Sequence, residues 1–276
     1  MGSEPSARFV LTALTADPAL ARACDGAGVE RVGVDIERIG KHARQGHVAD
    51  ARISTHSIGD LAAIAPLLRR ADAFIRVNPI HPGSPGEIER ALAAGARAIM
   101  LPYFRRADEV RAFVDCVAGR AAPIVLIETA EAASRAAEIA AVPGLAEVMV
   151  GLNDLHRDLG LASHFAVLCT PLIESIAIAV REAGLAFGFG GVAHPDDTTL
   201  PVAPELIYAE YARLKAHAAW LSRSFFRHVG AGDLAGALET LRARLAAWQG
   251  AAPAELDRQH GALVAAVARL PAAAAS

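Results

Sequence analysis

Lysine is nearly absent from this chain of 276 residues: Lys41 and Lys215 are the only two. Lys41 falls in a polar loop and Lys215 in a late helical stretch, so neither stands where a barrel interior would bury an imine-forming amine. On that count Schiff-base chemistry is not expected. Cysteine is scarce as well, and Cys24, Cys116 and Cys169 are odd in number, far apart and set in apolar surroundings. That pattern excludes a disulfide framework and reads as reduced core thiols of a cytoplasmic protein. No apolar run approaches the roughly 20 residues of a membrane span, and MGSEPSARFV has no charged segment leading into an apolar one. Charge of one sign is not in excess: 27 basic residues face 30 acidic ones, for a net charge of −3. With no run of Lys or Arg, nucleic acid and membrane surfaces are excluded as partners, and a small neutral or anionic ligand is expected. There is no glycine-rich phosphate turn after an early strand and no HExxH. Ten histidines form no Cys/His cluster, and His42, His47, His81 and His164 sit in polar loops where solvated rings are expected.

What the chain does have is alternation. Short apolar runs at 8–12, 31–36, 53–55, 74–77, 98–101, 124–127, 148–150 and 186–189 predict eight strands. Helical stretches separate them, opening with Asp17-Pro18 as cap and first turn and continuing at 57–70, 86–95, 107–118, between 128 and 148, and at 165–183. Eight strand–helix units predict a (β/α)8 TIM barrel, with a doubly wound open sheet as the competing fold. The Ala- and Leu-rich stretches 206–223 and 234–270 predict extra C-terminal helices. We therefore expect a barrel over 1–227 and a helical extension over 228–276, packed on the barrel or on a neighbouring subunit of a homo-oligomer.

The candidate chemistry gathers where strands end. Glu128 closes the run IVLI, and Asp154 lies just past the next strand, so both are expected at the C-terminal mouth of the barrel. A carboxylate ending an apolar run cannot be buried alone; it needs a metal ion, an arginine or a proton. A hard divalent cation would favour the pair, which without it would raise each other's pKa. Arg76 and Asn78 fall on one face of the fourth predicted strand as candidates for substrate contact, and Asp35 and Glu37 share a side of the second. Arg76 there is suited to bidentate contact with a carboxylate or enolate oxygen, or to an ion pair with Glu37. His56 is the one histidine expected to face the site, as general base or as a hydrogen-bonded ring. Gly151, Asn153 and Asp154 open a helix whose amides are candidates for a substrate carboxylate.

With VDIER, FIRVNP followed by GEIERALAAGARAIMLP, IVLIETAEA and VGLNDLHRDLG in order, the chain resembles the HpcH/HpaI aldolase and citrate lyase beta-subunit family over about residues 8–227. The resemblance implies a metal-dependent aldolase or lyase that makes or breaks a C–C bond between a pyruvate- or oxaloacetate-derived enolate and an aldehyde or keto acceptor. Glu128 and Asp154 would hold Mg²⁺ or Mn²⁺, Arg76 would polarise the keto or enolate oxygen of a 2-oxo acid, and amides near Asn153 would hold its carboxylate. Arg38 stands where pyruvate aldolases of the family carry a histidine, so the general base is left to His56, a metal-bound water or a substrate group, with Glu37 among the catalytic candidates. The alternatives are a citrate-lyase or citrate-synthase type enzyme acting on a thioester or carboxylate, for which 41–44 is the only basic loop, and a non-catalytic acid-binding barrel.

Overall fold

The computed structural model describes residues 8–41, 54–230 and 232–270. Eight parallel strands follow one another around a closed barrel, and the last pairs with the first. They are β1 Val10–Leu14, β2 Arg31–Asp35, β3 Asp72–Arg76, β4 Ala98–Leu101, β5 Ala122–Ile127, β6 Glu147–Val150, β7 Ala186–Val192 and β8 Ala218–Leu221. The helices between them are α1 Pro18–Gly26, α2 Ile58–Ile64, α3 Ser84–Ala93, α4 Ala107–Val117, α5 Ala130–Ser134, α6 Ala136–Ala140, α7 Leu152–Asp158, α8 Pro171–Glu182 and α9 Pro204–Arg213. A 3-10 turn, His164–Cys169, precedes α8, and α10 Arg223–Val229, α11 Leu234–Gln249 and α12 Pro253–Val267 follow β8. Among the described residues no helix is long and apolar enough to cross a membrane.

Strand alternation separates two cores. Phe74, Met100, Leu126 and Met149 point into the barrel as one buried cluster, while their neighbours Ile75, Ile99, Val125 and Val148 belong to the larger layer beneath the helices. The inward parity continues past the apolar residues at the C-terminal end. Phe74 is followed by Arg76, Leu126 by Glu128 and Met149 by Gly151. At the opposite end, Arg31 on β2 reaches across to Glu147 on β6 with two parallel bonds of 2.9 and 2.7 Å.

Two expectations need correction. Residues 54–57 form no strand, and Ile53 lies outside the described residues. The missing strand is β8, inside the stretch 206–223 expected to be helical. Its sequence, AAWL, is short and Ala-rich, so it carries helix propensity and no clear period. The break is made by Lys215 in the left-handed conformation, φ 52°, where a glycine would ordinarily signal the stop. Once the chain has turned, closure decides the outcome, because β7 and β1 each present an edge that β8 satisfies.

The C-terminal helices lie on α9, where Trp248 donates to Glu205 at 2.6 Å and His260 is 2.8 Å from Glu210. From α11, Arg242 reaches beneath the barrel to the carbonyls of Phe9 and Gly28 and to the Glu30 carboxylate.

Candidate active site

Glu128 ends β5 with its carboxylate inside the mouth of the barrel, only 4 % exposed. The next residue, Thr129, caps α5 by accepting from Ala132 N, which turns the chain away at once and fixes the direction of Glu128. One carboxylate oxygen, Oε2, accepts from the Tyr103 amide at 3.2 Å. The other fills space that Gly151 leaves open, since a Cβ there would lie 2.6 Å from Oε1. Asp154, in the first turn of α7, is equally buried and takes a bond of 3.1 Å from Arg157 at the rim. Burial, the charge of Glu37 and that of Asp154 push Glu128 well above the ordinary range of a glutamate, against the pull of Arg76 and Lys41.

Across the mouth, Arg76 pairs with Asp35 through Nε at 2.9 Å and Nη2 at 2.6 Å. Nε also lies 3.5 Å from Glu37, while Nη1 faces Glu128 at 3.9 Å and the guanidinium lies over the Trp220 ring. Burial opposes the charged form of Asp35, but Arg76 and Lys41 outweigh it and hold the carboxyl well below its usual range. Arg76 is likewise held charged by Asp35, Glu37 and Glu128 despite its burial. The expected ion pair with Glu37 is thus present but longer than the contact with Asp35, which is the main anchor.

Lys41 corrects the sequence reading. Its ammonium is buried at the mouth, 3.0 Å from both Asp35 Oδ2 and Glu37 Oε2, and is not displayed on a basic loop. Arg44 and the rest of 42–53 lie outside the described residues. The overlooked signal is the spacing of Glu37 and Lys41 around Gly40, whose φ of 72° turns the chain back on itself.

The remaining candidates divide. Asn78 stands beside the site with its amide already engaged: Nδ2 donates to Glu87 at 2.7 Å, and Oδ1 accepts from the amides of Arg38 and Ile39. It braces the turn after β2, where ligand contact was expected. His56 accepts the Asp35 amide proton at Nδ1, 3.2 Å away, which leaves Nε2 carrying the ring proton when the ring is neutral. Arg38 is exposed and donates to the carbonyls of Thr55 and His56. The Gly151 amide donates to Ile127 within the barrel ladder, so the residue contributes room where a bond to ligand was expected, while Asn153 is exposed at the start of α7. His164, expected to be solvated, packs on Phe165 at 4.0 Å, and burial pushes it down to about 4.

Among the described residues no group of three or more His, Cys, Asp or Glu side chains is arranged to hold a metal ion. Glu128 and Asp154 are a pair, the number with which Mg²⁺ is commonly bound when water and substrate supply the other oxygens. Among the described residues, four buried carboxylates, Asp35, Glu37, Glu128 and Asp154, lie near half-buried Arg76 and buried Lys41, with Arg157 at the rim. An all-oxygen carboxylate pair fits a hard divalent cation.

Comparison with known proteins bears on the family and the fold. The family model described as HpcH/HpaI aldolase/citrate lyase matches residues 8–199. A 4-hydroxy-4-methyl-2-oxoglutarate aldolase of Chaetomium globosum is 26 % identical over an alignment of 214 positions, covering 65 % of this chain and 73 % of that protein. Among solved structures, a HpcH/HpaI aldolase/citrate lyase family protein of Burkholderia cenocepacia superposes with a TM-score of 0.63 at 19 % identity, over 88 % of this chain and 95 % of that one. The CitE protein of Mycobacterium tuberculosis, in complex with magnesium and pyruvate, superposes with a TM-score of 0.60 at 18 % identity, over 95 % of this chain and all of that one.

Proposed function

The chain belongs to the HpcH/HpaI aldolase/citrate lyase family, and from that premise we propose that it is a divalent-metal-dependent aldolase. Its reaction is reversible cleavage of a C–C bond between C3 of a 2-oxo acid and an aldehyde or keto carbon. The observation that carries this reading is the pairing of a buried carboxylate couple, Glu128 and Asp154, with the unshared Nη1 corner of Arg76 directed at it from 3.9 Å.

Glu128 and Asp154 would hold Mg²⁺ or Mn²⁺, which when bound acts as Lewis acid toward the keto and carboxylate oxygens of the 2-oxo acid. The chain's own residues supply the rest. Arg76, fixed by Asp35 and screened from water by Trp220, places a permanent donor where negative charge develops on the keto oxygen. In the cleavage direction, a general base takes the hydroxyl proton from the C4 oxygen, the C3–C4 pair moves toward the keto group as an enolate, and the carbonyl fragment departs. A proton returned to C3 completes the 2-oxo acid. The pyruvate and magnesium of the CitE structure and the aldolase name of the fungal relative support this substrate class.

Glu128→Gln and Asp154→Asn are the direct test. Each should lower kcat/KM for aldol cleavage by at least about a hundredfold and weaken Mn²⁺ binding, with an unchanged circular dichroism spectrum. Near wild-type turnover in either variant contradicts the assignment.

A further inference from the structure

Lys41 takes no part in the chemistry above, yet its side chain is only 5 % exposed and lies among the site's carboxylates. Nζ is 3.0 Å from Asp35 Oδ2 and 3.0 Å from Glu37 Oε2. Arg76 meets the same two oxygens, at 2.6 Å through Nη2 and at 3.5 Å through Nε. Two carboxylates and two cations therefore close a ring in which each carboxylate is shared by both cations. Nη1 of Arg76 stands outside that ring, toward Glu128.

Local structure brings the lysine there. Asn78 accepts from the amides of Arg38 and Ile39, Gly40 adopts φ 72°, and the Lys41 amide donates to the Arg38 carbonyl at 3.1 Å. A buried ammonium is a poor device for stability, because its desolvation cost is rarely more than offset by its ion pairs. Orientation is the stronger reason for it. Without Lys41, Arg76 would feel more of the pull of Asp35 and Glu37, which would draw its nitrogens away from Glu128.

The geometry points to Lys41 as a positioning residue: by balancing one charge of the Asp35 and Glu37 pair, it leaves Nη1 of Arg76 free to meet the keto oxygen of the bound 2-oxo acid. This rests on the aldolase reading. Lys41 itself touches no reacting atom.

Oxalate, a planar dianion shaped like the pyruvate enolate, tests the role without turnover. Its affinity for the full chain in the presence of Mg²⁺ is measured by calorimetry for wild type and for Lys41→Met, Lys41→Gln and Lys41→Arg. We expect binding to weaken about 10- to 100-fold in the Met and Gln variants, as when partners behind a metal site are removed. Lys41→Arg, which keeps the charge, should stay within about threefold of wild type. Should Lys41→Met fail to fold, Lys41→Gln carries the comparison. Unchanged affinity in Lys41→Gln overturns the proposal, and so does equal loss in all three variants, which would make the position a matter of packing. Wild-type protein that binds no oxalate removes the aldolase reading and this proposal with it. Wild-type binding with indifferent variants removes only the role of Lys41.

Discussion

At position 151 an added Cβ would stand 2.5 Å from Glu128 Cγ and 2.6 Å from Oε1, although the backbone there, φ −87° and ψ 93°, suits any residue. Gly151→Ala should therefore leave folding nearly unchanged while displacing the carboxylate. A displacement of about 1 Å near reacting groups costs on the order of a hundredfold in rate, so kcat/KM should fall by about that much. Activity close to wild type in the alanine variant would show that Glu128 does not need this position. Single residues were legible in the sequence when they broke a pattern. Glu128 and Arg76 end apolar runs, and a charge in that position cannot be left unpaired. Lys41 breaks nothing, because a lysine after glycine in a polar stretch reads as solvated; its burial depends on the φ of Gly40 and on Asn78, which is 37 residues further on. Asn78 and His56 lie beside the candidate site, but which of their atoms are already engaged depends on partners that one strand's parity does not reveal.

The segment after β6 illustrates how elements set charge. α7 carries Asp154 inward in its first turn, and the 3-10 turn that follows folds His164 against Phe165 and toward His156. Burial, with smaller contributions from His156 and Arg157, lowers His164 from 6.5 to about 4. A lowered histidine stays neutral when folded while the unfolded chain takes up a proton. The native state therefore loses stability as pH falls from 6.5 toward 4, by about 1–3 kcal/mol. Urea unfolding across that range should show the loss, and His164→Gln should flatten it; an equal slope in the variant contradicts the assignment. Most elements were legible for a related reason, since seven strands are short apolar runs followed by helices with caps such as Asp17 and Ser57. The expected strand at 53–55 and the overlooked β8 are both very short. For β8 the deciding interaction is pairing with β1, more than 200 residues away in sequence, which no local period encodes.

Over the whole molecule the barrel separates stability from chemistry. The C-terminal face holds Asp35, Arg76, Lys41, Glu128 and Asp154, while the opposite end is closed by the Arg31–Glu147 pair and the Arg242 strap from α11. Removing Arg242 takes one donor each from the Phe9 and Gly28 carbonyls and from Glu30, of which Gly28 and Glu30 keep Arg8. Arg242→Met should cost about 1–3 kcal/mol in urea unfolding without changing KM, and a changed KM at constant stability would contradict that separation. The central claim is that the mouth of this barrel makes a 2-oxo acid enolate with a divalent cation held by Glu128 and Asp154. Exchange of the pyruvate methyl protons in D₂O, followed by NMR, tests it without knowledge of the acceptor. Exchange absent from metal-stripped protein, restored by Mg²⁺ or Mn²⁺ and lost in Glu128→Gln is the predicted result. Exchange that proceeds equally without metal, or none with either ion, would contradict the account.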